Sequence, residues 1–129
     1  MGFLGDLFKV MFVNNPSYSG EFMVSKDLSI DEMANSIRWV HGKSRKGGEL
    51  SKETFADNNT SLVLEYRMSM PGNEVNWYCW NAHRVGNEWK VNLKTRVAYE
   101  NGRLAKGNAQ VMFNSAKDYF FKGLKKNYK

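Results

Sequence analysis

The sequence predicts an α+β fold, an antiparallel meander sheet of four to five strands with helices packed on one face. Residues 61–70 and 88–99 alternate between apolar and polar side chains, the pattern of strands with one buried face. Turn-forming residues bound both stretches, and apolar residues recur at helical spacing before and after them. Because such a sheet has one apolar face, we expect the helices to cover that face.

Length and composition indicate one domain over residues 1–129. The chain is 42% hydrophobic and holds eight Phe, four Trp and six Tyr residues, enough for a single core. A lone cysteine, Cys79, excludes an internal disulfide and a multi-cysteine metal site. With no secretory leader and no apolar run of membrane-spanning length, we expect a cytoplasmic protein.

The net charge of +6 is unevenly distributed. Residues 1–60 hold seven Lys and Arg against eight Asp and Glu, whereas residues 61–129 hold twelve against five. The basic half therefore contains most of the predicted sheet. Such asymmetry suits nucleic acid or an acidic partner, although moderate positive charge is also an ordinary route to solubility.

Three elements are predicted before the sheet. Helical spacing of apolar residues predicts an amphipathic helix over 2–13, which we expect on the domain core, with a membrane-surface anchor or a dimer contact as alternatives. Residues 20–26 predict a short edge strand. A capping box formed by Ser29 and Glu32 then specifies the start of a helix over 30–41.

His41 ends this helix near the negative end of the helix dipole, which favours its charged form. No acid or nucleophile lies at a motif spacing from it, so we expect a structural role. The polar, glycine-rich residues 42–59 follow, a length that is unusual without a function, mobility or an unrecognised element. Its GKSRKGG segment lacks the Walker spacing, so we expect a solvated loop with a helical turn over 51–55.

The register of the first two long strands follows from the loop Pro71-Gly72-Asn73, in which Asn73 takes the left-handed conformation. A three-residue loop makes the following pairs on the buried face: Leu62 with Ala82, Leu64 with Trp80, and Tyr66 with Tyr78.

Gly86-Asn87 suits a two-residue turn between the second and third long strands. This turn places Tyr78, Trp80 and Trp89 on the buried side and leaves Trp77 outside, opposite Arg96. A three-residue loop here would reverse every side chain.

Asn101-Gly102 predicts a third hairpin that pairs Tyr99 with Leu104. A bulge near Lys106-Gly107 is then needed to bring Ala109, Val111 and Phe113 to the inside of a final strand. Ser115 and Asp118 predict the start of a last helix.

The order of elements between residues 28 and 113 resembles that of a cystatin-like roll or a nuclear-transport-factor-like cone, in which a sheet curls around a helix. A helix-grip fold is the alternative architecture. The resemblance lies in element order without a shared motif, and implies no functional residues.

The outer sheet face combines an aromatic ring with basic side chains. Its residues are Arg67, Trp77, His83, Lys90, Lys94 and Arg96. We expect this face to be a homodimer contact; the alternatives are an intramolecular cation–π arrangement and a platform on which single-stranded nucleic-acid bases stack.

A pocket between the sheet and the capped helix is a further candidate, able to hold an apolar small molecule. Its predicted lining is Tyr66, Met68, Tyr78, Trp80 and Trp89. Aromatic residues in a chain of this size are more often core than ligand-binding residues.

No catalytic, metal or cofactor site is predicted. Cys79 and His83 are four residues apart on one strand face, about 14 Å at 3.4 Å per residue, which is too far for a hydrogen bond. We therefore expect a non-enzymatic binding or assembly domain that forms a homodimer through the outer sheet face. The alternatives are single-stranded nucleic-acid binding and a small-molecule carrier or enzyme that uses the sheet–helix pocket.

Overall fold

A five-stranded antiparallel sheet and two helices make up the fold in the computed structural model, which describes residues 15–42, 49–55 and 59–128. The elements are β1 (Ser17–Val24), α1 (Ile30–Gly42), β2 (Glu49–Phe55), β3 (Ser61–Met70), β4 (Glu74–Val85), β5 (Glu88–Tyr99) and α2 (Ala109–Asn127). The strand order is β1-β5-β4-β3-β2. β2 to β5 thus form a meander, and α1 connects β1 at one edge of the sheet to β2 at the other.

The predicted registers of both central hairpins are confirmed. Leu64 lies opposite Trp80 and Trp80 opposite Leu93, on the side where all three are buried. Trp77 lies on the other face between Arg67 and Arg96.

The turns explain this register. Asn73 has a φ of 61° and Gly86 a φ of 63°, so each hairpin loop contains a residue in the left-handed region that the sequence provides for.

Of the two edge strands, one is predicted from the sequence and the other is not. The edge strand expected over 20–26 is confirmed as β1, which pairs with β5. The polar stretch 42–59 contains the unrecognised element, β2, so the helical turn over 51–55 is wrong. The GKSRKGG segment and the predicted helix over 2–13 lie outside the described residues, apart from Gly42.

The start of α1 is confirmed in detail. The Glu32 amide donates to the Ser29 hydroxyl at 3.1 Å, and the Ser29 amide donates to the Glu32 carboxylate at 2.9 Å, which is the reciprocal capping box. The apolar face of α1 is buried against the sheet at Met33, Ala34, Ile37 and Val40.

The predicted final strand is wrong, because the chain turns into α2 at Ala109. The third hairpin stops after a short contact in which the Tyr99 amide donates to the Arg103 carbonyl and Ala98, rather than Tyr99, is bridged to Leu104. Asn108 then caps the helix, since its side chain accepts hydrogen bonds from two amides of the first turn.

Both helices pack on the same face of the sheet. α2 approaches β1 so closely that a Cβ atom on Gly20 would lie 2.6 Å from the ring of Phe113. The Thr95 hydroxyl on β5 donates to the Ala109 carbonyl at 2.6 Å and so fixes the start of α2 over the sheet.

The α+β class with helices on one face is therefore confirmed, and the layout is compatible with a cystatin-like roll. Within the described residues, neither helix is long and apolar enough to span a bilayer.

Candidate functional site

A cleft opens between the end of α1, the middle of α2 and the inner face of the sheet. Its volume is about 220 Å3. The residues that line this helix–sheet cleft are Val40, His41, Met68, Tyr78, Ser115, Ala116 and Tyr119. Strands β3 and β4 form the floor, and the last turn of α1 and one face of α2 form the walls.

His41 is the most constrained polar group of the cleft. Its side chain is 5% exposed, and its Nε2 atom accepts a hydrogen bond from the Trp80 indole nitrogen at 2.8 Å. The ring also stacks on Tyr66, with centroids 3.9 Å apart and an interplanar angle of 17°. A neutral imidazole that accepts at Nε2 carries its proton on Nδ1, so the ring is held in one tautomer.

Burial overrides the helix dipole at this position. The sequence predicts that the negative end of the dipole favours charged His41, but burial lowers its pKa from 6.5 to about 3. A dipole contributes typically 0.3 to 1 kcal/mol at an exposed helix end, whereas a shift of one pKa unit corresponds to about 1.36 kcal/mol. The expectation of a charged His41 is therefore wrong, and the ring is neutral at pH 7.

Tyr78 completes the polar part of the floor. Its ring and the His41 ring form an edge-to-face pair with a centroid distance of 4.7 Å, and burial raises the pKa of the Tyr78 hydroxyl above 10.0. The hydroxyl therefore stays protonated at neutral pH. In this form it can both donate and accept a hydrogen bond.

The five residues predicted for the sheet–helix pocket occupy three different places. Met68 and Tyr78 line the helix–sheet cleft. Tyr66 and Trp80 lie behind His41, where they contact its ring and its Nε2 atom. Trp89 is fully buried near the start of α1, where its indole donates to the Leu28 carbonyl at 2.9 Å.

The walls of the cleft come from residues that the sequence analysis did not assign to it. The sequence predicts that the last helix starts at Ser115. Because α2 starts at Ala109 instead, Ser115, Ala116 and Tyr119 lie within the helix and share one of its faces. Val40 and His41 share the apolar face of α1, a signal that was visible but indicated only burial.

On the outer sheet face, Trp77 is flanked by two guanidinium groups. The Arg67 and Arg96 Cζ atoms lie 5.4 and 5.0 Å from the centroid of the ring. This is the intramolecular cation–π arrangement, worth about 0.5 to 1 kcal/mol at exposed sites. The dimer and nucleic-acid interpretations of this face stay predictions.

The other residues predicted for this face lie further along β4 and β5 from the Trp77–Arg96 pair. The Lys90 ammonium pairs with Glu21 at 3.3 Å, and Lys94 and His83 are exposed on β5 and β4. The Cys79 sulfur lies 3.9 Å from a Glu65 carboxylate oxygen. Among the described residues, no group of three or more His, Cys, Asp or Glu is placed to hold a metal ion.

A second, more open groove of about 630 Å3 lies between the end of β1 and the last turns of α2. Its lining includes the apolar Val24 and Leu124 and the basic Lys26 and Lys125. Lys26 donates to the carbonyl of Tyr128, and lysines stabilise the negative end of a helix. The negative end of the α2 dipole therefore explains why these two lysines lie here.

Comparison with known proteins supports the fold. The sequence matches no protein-family model and no curated protein. The hypothetical protein jhp0584 from Helicobacter pylori is similar in structure, with a TM-score of 0.51 and 14% identity over 91% of this chain and 90% of that chain. The Mll3558 protein from Rhizobium loti gives a TM-score of 0.46 and 14% identity over 84% and 93% of the two chains. At 14% identity the likeness to jhp0584 concerns the fold alone.

Proposed function

We propose that this protein is a non-catalytic binding domain that holds a small uncharged molecule in the helix–sheet cleft. The observation that carries the proposal is an open cavity of about 220 Å3 whose lining, among the residues that the structure describes, contains no Asp, Glu, Lys or Arg and whose one histidine is neutral at pH 7. Small-molecule sites are typically concave and mostly apolar, with a few placed polar groups. Val40, Met68 and Ala116 supply the apolar part of this lining; the polar part comes from His41, Tyr78, Ser115 and Tyr119.

The state of His41 supports binding rather than catalysis. A general base needs a free lone pair and a pKa near the working pH. The Nε2 lone pair of His41 is occupied by the Trp80 indole, and its pKa is about 3. Its role is therefore to hold the end of α1 on the sheet and to form part of the cleft wall.

A fragment titration tests this proposal. Uncharged compounds of up to about ten non-hydrogen atoms, a size set by the cavity, are added to 15N-labelled protein while amide spectra are recorded. We expect shifts that saturate and concentrate on the last turn of α1 and the middle of α2. Ala116→Leu should weaken them, because Ala116 lines the cavity and is only 5% exposed, so a larger side chain there takes up cavity space.

The matched control is Val111→Leu, which adds bulk to α2 at an exposed position outside the cleft. It should leave the titration unchanged. Equal weakening in both variants, or no saturable shift with any fragment, would contradict the proposal.

A further inference from the structure

The size of the helix–sheet cleft limits its ligand to about one ring. An engineered protein cavity of about 150 Å3 lined by apolar side chains binds benzene, whereas drug-sized ligands occupy about 300 to 1,000 Å3. At about 220 Å3, this cleft lies between the two. It therefore has room for a six-membered ring with one or two small substituents.

The charge of the lining argues against an ion. Burial of a carboxylate costs several kcal/mol unless a cation or several donors compensate for it. None of the seven side chains that line the cleft is Lys or Arg. On the adjoining part of α2, the Lys117 ammonium lies 5.4 Å from the ring centroid of Phe22, which belongs to β1 and not to the cleft.

The polar groups of the lining argue against a plain hydrocarbon. Three of the residues that line the cavity carry a hydroxyl group: Tyr78, Ser115 and Tyr119. Ser115 and Tyr119 are exposed, but a hydrocarbon would desolvate the half-buried Tyr78 side chain without supplying a partner, and an unsatisfied hydroxyl would cost binding energy. A ligand hydroxyl both donates and accepts, so it can pair with any of the three.

From these three constraints we infer that the cleft selects an uncharged single-ring compound that carries a hydroxyl group, in preference to a hydrocarbon or a carboxylate of the same size. The inference rests on the proposed function and names its ligand class. Tyr78 is the residue that we assign to the ligand hydroxyl, because it alone of the three lies on the sheet, is half-buried and contacts the His41 ring.

Three probes test the assignment: phenol, toluene and benzoate, titrated at neutral pH into the wild-type chain and observed through amide shifts of the cleft residues. We expect phenol to bind about fivefold to tenfold more tightly than toluene, the ratio that one net hydrogen bond provides. Benzoate should give no saturable shift. Tyr78→Phe should reduce the preference for phenol to about twofold or less and leave toluene unchanged.

Ser115→Ala is the second variant, at an exposed position where a change of fold is not expected. It should keep at least half of the logarithm of the phenol-to-toluene affinity ratio. This variant still tests the assignment if Tyr78→Phe does not fold. If instead Ser115→Ala abolishes the preference, the assignment to Tyr78 is overturned.

The outcomes separate this inference from the proposed function. Equal affinity for phenol and toluene, without benzoate binding, overturns the hydroxyl selectivity and leaves an uncharged-ligand cleft in place. Tightest binding of benzoate overturns both. Absence of binding by all three probes overturns the ligand class, and the broader fragment titration then decides whether the cleft binds any uncharged compound.

Discussion

The Trp80 indole nitrogen donates a hydrogen bond to Nε2 of His41 at 2.8 Å, in the interior of the protein. The contact joins the centre of the sheet to the last turn of α1 through two residues that are 39 positions apart in sequence. It occupies the one acceptor atom of neutral His41 and satisfies the one donor of the Trp80 side chain. The wall of the helix–sheet cleft and the core of the sheet are therefore held by the same pair.

His41→Phe should destabilise the fold by about 1 to 3 kcal/mol, because a ring of similar shape leaves the buried Trp80 N–H without an acceptor. Chemical unfolding in urea, followed by tryptophan fluorescence or circular dichroism, measures the loss. A double-mutant cycle with Trp80→Phe isolates the interaction, since the second change removes the donor as well. Strictly additive free energies of unfolding in this cycle would contradict a direct hydrogen bond.

His41 should also make stability depend on pH. Its pKa falls from 6.5 to about 3 on folding, so between these values the unfolded chain binds a proton that the folded chain excludes. The stabilisation is complete above pH 6.5 and is lost as the pH falls towards 3, with a slope of up to about 1.4 kcal/mol per pH unit. Urea unfolding at several pH values between 7 and 4 measures this slope.

The matched control for the pH dependence is His83→Gln, on the exposed outer sheet face. It should keep the wild-type slope, whereas His41→Phe should flatten it. A wild-type slope in His41→Phe would assign the pH dependence to other groups.

The sheet could be predicted from sequence because its turns and its alternation agree. Gly86 and Asn73 fix the two loop lengths, and each loop length fixes a register that buries the same face of β4. The turn residues and the burial pattern therefore predict the same register for β3, β4 and β5. Trp77 outside and Trp80 inside follow directly.

α2 could not be predicted in full because two local signals compete. Ser115 with Asp118 fits a capping box, but Asn108 is also a preferred N-cap residue and begins the helix seven residues earlier. A strand over these residues needs a bulge to bury Phe113, and this irregularity argues against the strand. Ala109, Phe113, Ala116 and Phe120 bury one face without any irregularity once the period is helical.

Asn108→Ala should destabilise the fold by about 1 kcal/mol, the usual cost of losing an N-cap side chain. The Asn108 oxygen accepts from the Gln110 and Val111 amides at 3.1 and 3.3 Å, and alanine offers no acceptor. Thermal and urea unfolding measure the effect. Asn108→Asp should retain most of the wild-type stability, and equal losses in both variants would show that the cap is not the cause.

Gly123→Ala should destabilise the fold, although alanine is the better helix former by about 1 kcal/mol. A Cβ atom at this position would lie 2.6 Å from Cε3 of Trp39, where α2 crosses α1. Overpacking of this kind costs typically 1 to 3 kcal/mol, so we expect a net loss in urea unfolding. Asn114→Ala, at an exposed position of the same helix, is the control and should be neutral or stabilising. A more stable Gly123→Ala variant would mean that the two helices move apart at little cost.

Dimerisation through the outer sheet face is the prediction from sequence that solution mass tests directly. Sedimentation equilibrium of the wild-type chain should give twice the mass of one chain, and Trp77→Lys should give a monomer. The reason is that the substitution replaces the ring between Arg67 and Arg96 with a third cation, and a two-fold contact would bring these charges together twice. Asn81→Lys, an exposed position of the same strand face, adds the same charge without removing the ring and should weaken the dimer less. A monomeric wild-type chain would contradict the dimer interpretation.

Affinity for single-stranded oligonucleotides that falls steeply with salt would then favour nucleic-acid binding on this face.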